Sequence, residues 1–223
     1  MSIKLNAQSG GSVALDAPTQ TTSSADITFK LPVADGTAGQ VLKTDGNGNL
    51  SWVDDQGGKV LQVDALNVTA RSSGTFSNGS LSSTPLTLTM TSTALNSKFL
   101  ISATINGEAN VEDHSVGFVL RRVIGGSGTS INIGTAAGSR SVITVMKAVG
   151  YHGNDQDSTP STTVMSPYLD SPNQASGTAI TYKLDIIGMG QGGTMYFGGS
   201  ASDSNGIGYE RMPNNITVME IAA

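Results

Sequence analysis

Cysteine is absent from the 223-residue sequence. That excludes disulfides, thiolate metal sites and thiol nucleophiles, so stability has to come from packing and association. Charged residues make up only 13% and aromatics 5% of the chain. Long charged helix formers are therefore few, while glycine and β-branched or hydroxyl residues, which cost helix stability, are plentiful. No apolar run approaches the length of a membrane span, and MSIKLNAQSG carries no secretory-type apolar core. The formal net charge of -5 is too small to drive disorder, and Arg121-Arg122 is the only basic cluster. No nucleic-acid footprint and no membrane insertion are expected.

What is present is a strand pattern. Phe99, Ile101, Ala103 and Ile105 alternate with Ser102, Thr104 and Asn106. Val116, Phe118 and Leu120 repeat the alternation, as do Tyr182, Leu184 and Ile186. A period of two is the mark of half-buried strands. Further strands are expected at Val13 to Leu15, Leu86 to Thr91, Ile131 to Ile133, Ser141 to Val149, Thr162 to Tyr168, Thr194 to Phe197 and Asn215 to Ile221. Many short strands separated by Gly, Asn, Asp and Pro argue for an all-β sandwich or jelly-roll.

The stretch Ile27 to Val53, ITFKLPVADGTAGQVLKTDGNGNLSWV, is the most informative. Strand-like runs at Ile27 to Leu31, Gln40 to Lys43 and Asn49 to Val53 surround Asp45-Gly46-Asn47-Gly48, a strong hairpin signal because these residues tolerate positive φ. A lone hairpin buries too little to be stable in water, so this one needs partners. Trp52, the only tryptophan, with Val41 and Leu42, is the expected packing and trimerisation set. The expected organisation is an extended N-terminal β segment over 1–60, a linker over 61–74 and a C-terminal domain over 75–223, with Arg71 to Pro85 flexible.

GTAGQVLKTDGNGNLSW resembles a segment that recurs in tail-fibre and related virion proteins of bacteriophages, marine ones especially. SKFLISATINGEA, VGFVLRRVIGGSG, SPYLDSP, TYKLDIIG and ITVMEIAA resemble the C-terminal domain of phage fibres, a jelly-roll similar to complement-type and tumour-necrosis-factor-type domains. The resemblance implies a homotrimer with the terminal strand near the three-fold axis. It also implies a virion location after assembly in the host cytoplasm, and an N-terminal segment joined to other virion proteins. The expected function is a tail fibre whose trimeric C-terminal knob binds a glycan or protein on the bacterial surface. A head-decorating or tail-spacer fibre without a receptor is the alternative.

Motifs that imitate chemistry lack the context it needs. Gly188 to Gly193 spells a dinucleotide fingerprint, but TMYFGGSASDSNG cannot supply the helix on which the pyrophosphate would sit. Asp45, Asn47 and Asn49 start a calcium-type loop that has Leu50 and Gln56 where Gly and Glu are required. Asp113-His114-Ser115 holds the residue types of a hydrolase triad, yet adjacency along a strand throws them to opposite faces. A depolymerase would need paired carboxylates across a groove, and nothing singles out a pair. No enzymatic activity, cofactor or metal is therefore expected. Tyr151, His152, Asn154 and Asp155 in YHGNDQD, and Tyr209 and Arg211 in SNGIGYERMPNN, are the expected receptor contacts, because Tyr and Arg dominate recognition surfaces.

Overall fold

Alternating β-branched and hydroxyl residues leave this chain few options but strands. The computed structural model describes residues 3–6, 9, 12–15, 18–21, 24–55, 59–111, 115–148, 160–207 and 209–223, among which there is no α-helix. Two compact units divide at Gln56 and Gly57.

The N-terminal unit holds two small antiparallel pairs. Strands β1 (Ile3–Asn6) and β2 (Ser12–Leu15) form one, β3 (Gln40–Thr44) and β4 (Leu50–Asp54) the other. The turn between β3 and β4 is made by Asp45. Its carboxylate accepts from the amides of Asn47 (2.8 Å) and Asn49 (3.1 Å) and from Asn49 Nδ2 (2.6 Å). Hydrogen bonds from Asn49 and Asn47 hold this carboxyl below its ordinary range. Gly48 is required twice over: its φ is +88°, and a Cβ there would lie 2.4 Å from the Thr28 carbonyl. That approach lets Lys30 run parallel to β4, donating to the Gly48 carbonyl and accepting from Leu50 N, both at 2.8 Å. Ile27 to Leu31, expected as a strand, makes a single bridge at Lys30.

The C-terminal unit is a β-sandwich. One sheet runs β10 (Ser127–Ser130), β9 (Val116–Ile124), β13 (Ala179–Gly188), β7 (Leu81–Thr91), with β11 (Val145–Met146) also on β9. The other runs β5 (Val60–Val68), β15 (Asn214–Ile221), β8 (Lys98–Ala109), β12 (Ser161–Asp170). At the far end of β8 it is extended by β14 (Gly193–Phe197) and β6 (Ser72–Phe76). Phe99, Ile101, Ala103 and Ile105 of β8, with Ile216 and Val218 of β15, meet Phe118, Leu120, Ile180, Tyr182, Leu184 and Ile186 of the opposite sheet in one core. The Phe99 and Tyr182 rings contact across it with centroids 5.7 Å apart. Each such fully buried side chain contributes about 1.5–3 kcal/mol of transfer free energy.

Several expectations need correction. Residues 61–74, read as a linker, hold most of β5 and the start of β6 and belong to the sandwich, whose compact unit begins at Gly57. Arg71 to Pro85, read as flexible, contributes β6 and the first half of β7. Its small hydroxyl residues conceal it: only Phe76 carries a large core side chain there. Ile131 to Ile133 is not a strand, and among the described residues of Ser141 to Val149 the strand is confined to Val145–Met146.

The sandwich closes on buried polar anchors. Arg122, pointing inward from β9, reaches Asp170 at 2.7 Å, and Tyr182 donates its hydroxyl to the same carboxylate at 2.7 Å. Burial, then the Asp170 charge, pushes the Tyr182 phenol up, so it stays a donor. Glu220 of β15 is fully buried. Its carboxylate accepts from Thr93 N (2.8 Å), Thr93 Oγ1 (2.9 Å) and Gln62 Nε2 (2.6 Å). Burial pushes this carboxyl up, but the hydrogen bonds from Ser97, Thr93 and Gln62 outweigh burial and hold it below its usual range.

Glu220→Gln swaps one charged acceptor for a donor facing other donors, at an expected cost of about 2–3 kcal/mol. Because the folded carboxyl titrates below the unfolded one, wild-type stability is full above the unfolded value of about 4.3 and falls as pH drops through the folded value. Thermal unfolding of both proteins from pH 7 to pH 3 checks this: the variant should start lower and lose less over that interval.

Candidate functional site

Inward alternation along β8 and β15 leaves Leu100, Ser102, Thr104, Thr217, Met219 and Ile221 facing out. Register then aligns these residues with their neighbours. Met219 pairs with Val63 of β5 and Leu100 of β8, and Leu100 with Leu169 of β12, giving the row Val63–Met219–Leu100–Leu169 across four strands. A β-bulge in β5 places Val60 beside Ile221 on the same face. Val60, Val63 and Leu169 are exposed, while Leu100, Met219 and Ile221 are half-buried. Toward the other end the face turns hydroxylic through Ser102, Thr104 and Thr217, then apolar again at Val164. Single exposed apolar residues are ordinary on a surface, whereas a contiguous row across a sheet marks an interaction face.

A second surface is the 198–211 loop, held at its base from elsewhere in the chain. Arg71 donates through Nε (3.2 Å) and Nη2 (2.9 Å) to the Ser200 carbonyl, and through Nη2 to the Ala201 carbonyl (3.0 Å). Its guanidinium stacks on Tyr196, 4.9 Å from the ring centroid. Glu108 accepts from Ala201 N at 2.7 Å. Asp203 takes Arg71 at 3.6 Å on one oxygen and Arg211 on the other. Of the expected contact residues here, Arg211 is exposed but its charge is committed to Asp203. Tyr209 is half-buried, its ring lying over Gly206, where a Cβ would come within 3.3 Å. The fully exposed side chain of the loop is Ile207, which sequence reasoning missed. Neither Arg71 nor Glu108 carries any local signal, since their partners lie 129 and 93 residues away.

Tyr151, His152, Asn154 and Asp155 lie outside the described residues. The chain on either side of them is fastened to itself. Lys147, buried, donates to Ser161 Oγ at 2.8 Å, Ser161 donates to the Ala148 carbonyl at 2.7 Å, and Ala148 N donates to Thr163 Oγ1 at 2.8 Å. Serine beside lysine is a nucleophile pairing in some hydrolases, but here the hydroxyl proton is committed to a carbonyl.

In the N-terminal unit the three expected packing residues divide. Leu42 pairs with Trp52 and shares its face, whereas Val41 pairs with Val53 on the opposite one. Trp52 donates Nε1–H to the Ala34 carbonyl at 3.0 Å, and Gly36 crosses its ring so closely that a Cβ would fall 2.5 Å from Cδ2. Beside it opens a groove of about 480 Å³ lined by residues 30–34 and 49–52. Gly188 to Gly193 joins β13 to β14, two strands, so no helix stands where a pyrophosphate would need one. No group of three or more metal-ligating side chains converges among the described residues.

No protein-family model and no curated protein matches this chain. Two solved structures that resemble it bear the titles "Structure of infectious bursal disease virus Gt strain" and "Structure of infectious bursal disease virus Gx strain". The first is 12% identical with a TM-score of 0.37, covering 98% of this chain and 46% of that one. The second is 12% identical with a TM-score of 0.36, covering 78% and 39%. The chain thus spans less than half the length of either. At these scores the likeness carries no argument about fold or function.

Arg71→Met removes the clamp while keeping the aliphatic contact with Tyr196. Limited trypsin digestion is expected to cleave after Arg211 at least about tenfold faster, because the three hydrogen bonds to the Ser200 and Ala201 carbonyls are lost. Circular dichroism should still report a folded sandwich.

Proposed function

We propose that this chain is the subunit of a bacteriophage virion fibre, homotrimeric through its C-terminal unit and displaying receptor-contact loops on that knob. The observation that carries the reading is the apolar row Val63–Met219–Leu100–Leu169 on the outer face of a sheet whose inner face is already a complete core. A sheet covered on one side and apolar on the other needs a second layer, and copies of the same chain provide it with closed symmetry. The strand order supports a jelly-roll: β5-β15-β8-β12 faces β7-β13-β9-β10, and the chain crosses between sheets on passing from β6 to β7, β7 to β8, β8 to β9, β11 to β12, β12 to β13 and β13 to β14. β15, the strand the sequence resemblance puts near a three-fold axis, supplies Met219 and Ile221 to the outward apolar face.

Receptor binding rests on the 198–211 loop. Its base is immobilised by Arg71 and Glu108 while Ile207 projects free, so little ordering entropy is lost when the tip is engaged. Three such tips on one trimer would multiply weak contacts into avidity. The residues of YHGNDQD, including Tyr151, His152, Asn154 and Asp155, belong to the same reading as further contacts, as does attachment of the N-terminal segment to other virion proteins.

Static light scattering on the purified protein is expected to give three times the chain mass of 22.8 kDa. Leu100→Asp combined with Met219→Asp, at outward positions that leave the core intact, should abolish knob association and lower that mass. A single-chain mass for the wild type would sink the trimer. Fluorescently labelled protein applied to a panel of marine bacteria is expected to bind selected strains, with Ile207→Ser and Tyr209→Ala weakening that binding. Absence of binding to every strain would favour the spacer or decoration reading.

A further inference from the structure

The N-terminal unit has a one-sided apolar surface of its own. The parallel bridge Lys30–Asn49 puts Lys30 on the face of Asn49, Ser51 and Val53. Extended backbone alternates sides, so Phe29 and Leu31, flanking Lys30, fall on the other face with Leu42, Leu50 and Trp52, and Ile27 and Val33 continue the apolar run beyond them, Val33 at a bend after Pro32. All four are exposed: Ile27 at 56%, Phe29 at 63%, Leu31 at 73% and Val33 completely. The groove of about 480 Å³ beside Trp52 opens between residues 30–34 and 49–52, while the reverse face offers Lys30, Val41, Lys43, Ser51 and Val53. Apart from Ala34 to Gly36, which cross the Trp52 ring, the apolar side of this layer is uncovered.

We infer that residues 27–54 form a second self-association module. In it the Ile27–Phe29–Leu31–Val33 stripe and the Trp52 groove of each copy are covered by those of the other copies. The inference deepens the trimer reading above and rests on it. Two arguments select another copy as the occupant. Ile27, Phe29, Leu31, Val33, Leu42 and Trp52 are six large apolar residues exposed on one small unit, and so much clustered apolar surface marks an association face. And β4 ends at Asp54 while β5 begins at Val60, so copies joined at the C-terminal unit hold their N-terminal units at roughly millimolar effective concentration. At that concentration even a contact too weak to assemble free hairpins is satisfied. Charge does not oppose it, because the stripe residues and the face partners Leu42, Leu50 and Trp52 are all uncharged.

The absence of cysteine makes the test direct. Leu31→Cys, at an exposed position that substitution does not unfold, is treated in the full-length protein with a short bis-maleimide at micromolar concentration and run on a denaturing gel. Covalent dimers, approaching two of every three chains, are expected. Lys43→Cys on the opposite face should remain at single-chain mass. Acrylamide should quench the single tryptophan several-fold less in the wild-type protein than in the dissociated Leu100→Asp, Met219→Asp variant. A protein of trimer mass in which Leu31→Cys stays uncross-linked and Trp52 is quenched as fully as in that variant would overturn this inference and leave the knob trimer standing. A wild-type protein of single-chain mass would overturn both.

Discussion

Strand β8 sets the terms for the C-terminal unit. It is paired with β15 along one edge and β12 along the other, so its register has no freedom and fixes both faces at once. Phe99, Ile101, Ala103 and Ile105 go inward, and Leu100, Ser102 and Thr104 go out. A slip of one residue would bury hydroxyls and expose the core, which is why the alternation is strict just where pairing is double-sided. The neighbours inherit this register: Met219 faces outward because it pairs with Leu100, and Glu220 is buried because it pairs with Phe99.

That inheritance explains the buried charge. Glu220 occupies an inward position at the end of β15, where the core gives way to the 92–97 turn, and the turn turns its donors upon it. Arg122 does the same from the other sheet, its inward position filled by a cation that Asp170 answers while the Tyr182 hydroxyl donates to the same carboxylate. Buried charges of this kind often add little stability over well-packed apolar residues; what these two do in the fold is tie the 92–97 turn to β15 and the end of β12 to β9.

The sequence made the core legible because the core is where period two is enforced by burial. Phe99 to Ile105, Val116 to Leu120 and Tyr182 to Ile186 were readable for that reason, and Asp45 to Gly48 because its turn chemistry is local. The strands β6 and β10, built from Ser, Gly and Thr, carry almost no apolar signal; they hold by pairing with β14 and β9, and pairing leaves no mark on composition. The apolar stripe Ile27, Phe29, Leu31, Val33 was present in the letters as alternation. Its face, however, is decided by a single bridge to Asn49. The clamp on the 198–211 loop was invisible, since Arg71 meets Ser200 only after the sheet has formed.

The position of β15 has a consequence for how the molecule is made. It lies between β5 and β8, although the first is 149 residues away in the Leu66–Asn215 contact. A nascent chain that has reached residue 213 therefore owns every other strand of the sandwich but has a gap in the middle of one sheet. Until β15 is in place, the facing edges of β5 and β8 stay unpaired and the core lacks Ile216 and Val218. Closure of the sandwich thus waits for β15, and the intermediate that lacks it, with its long-range contacts unmade, is the species most open to misassociation.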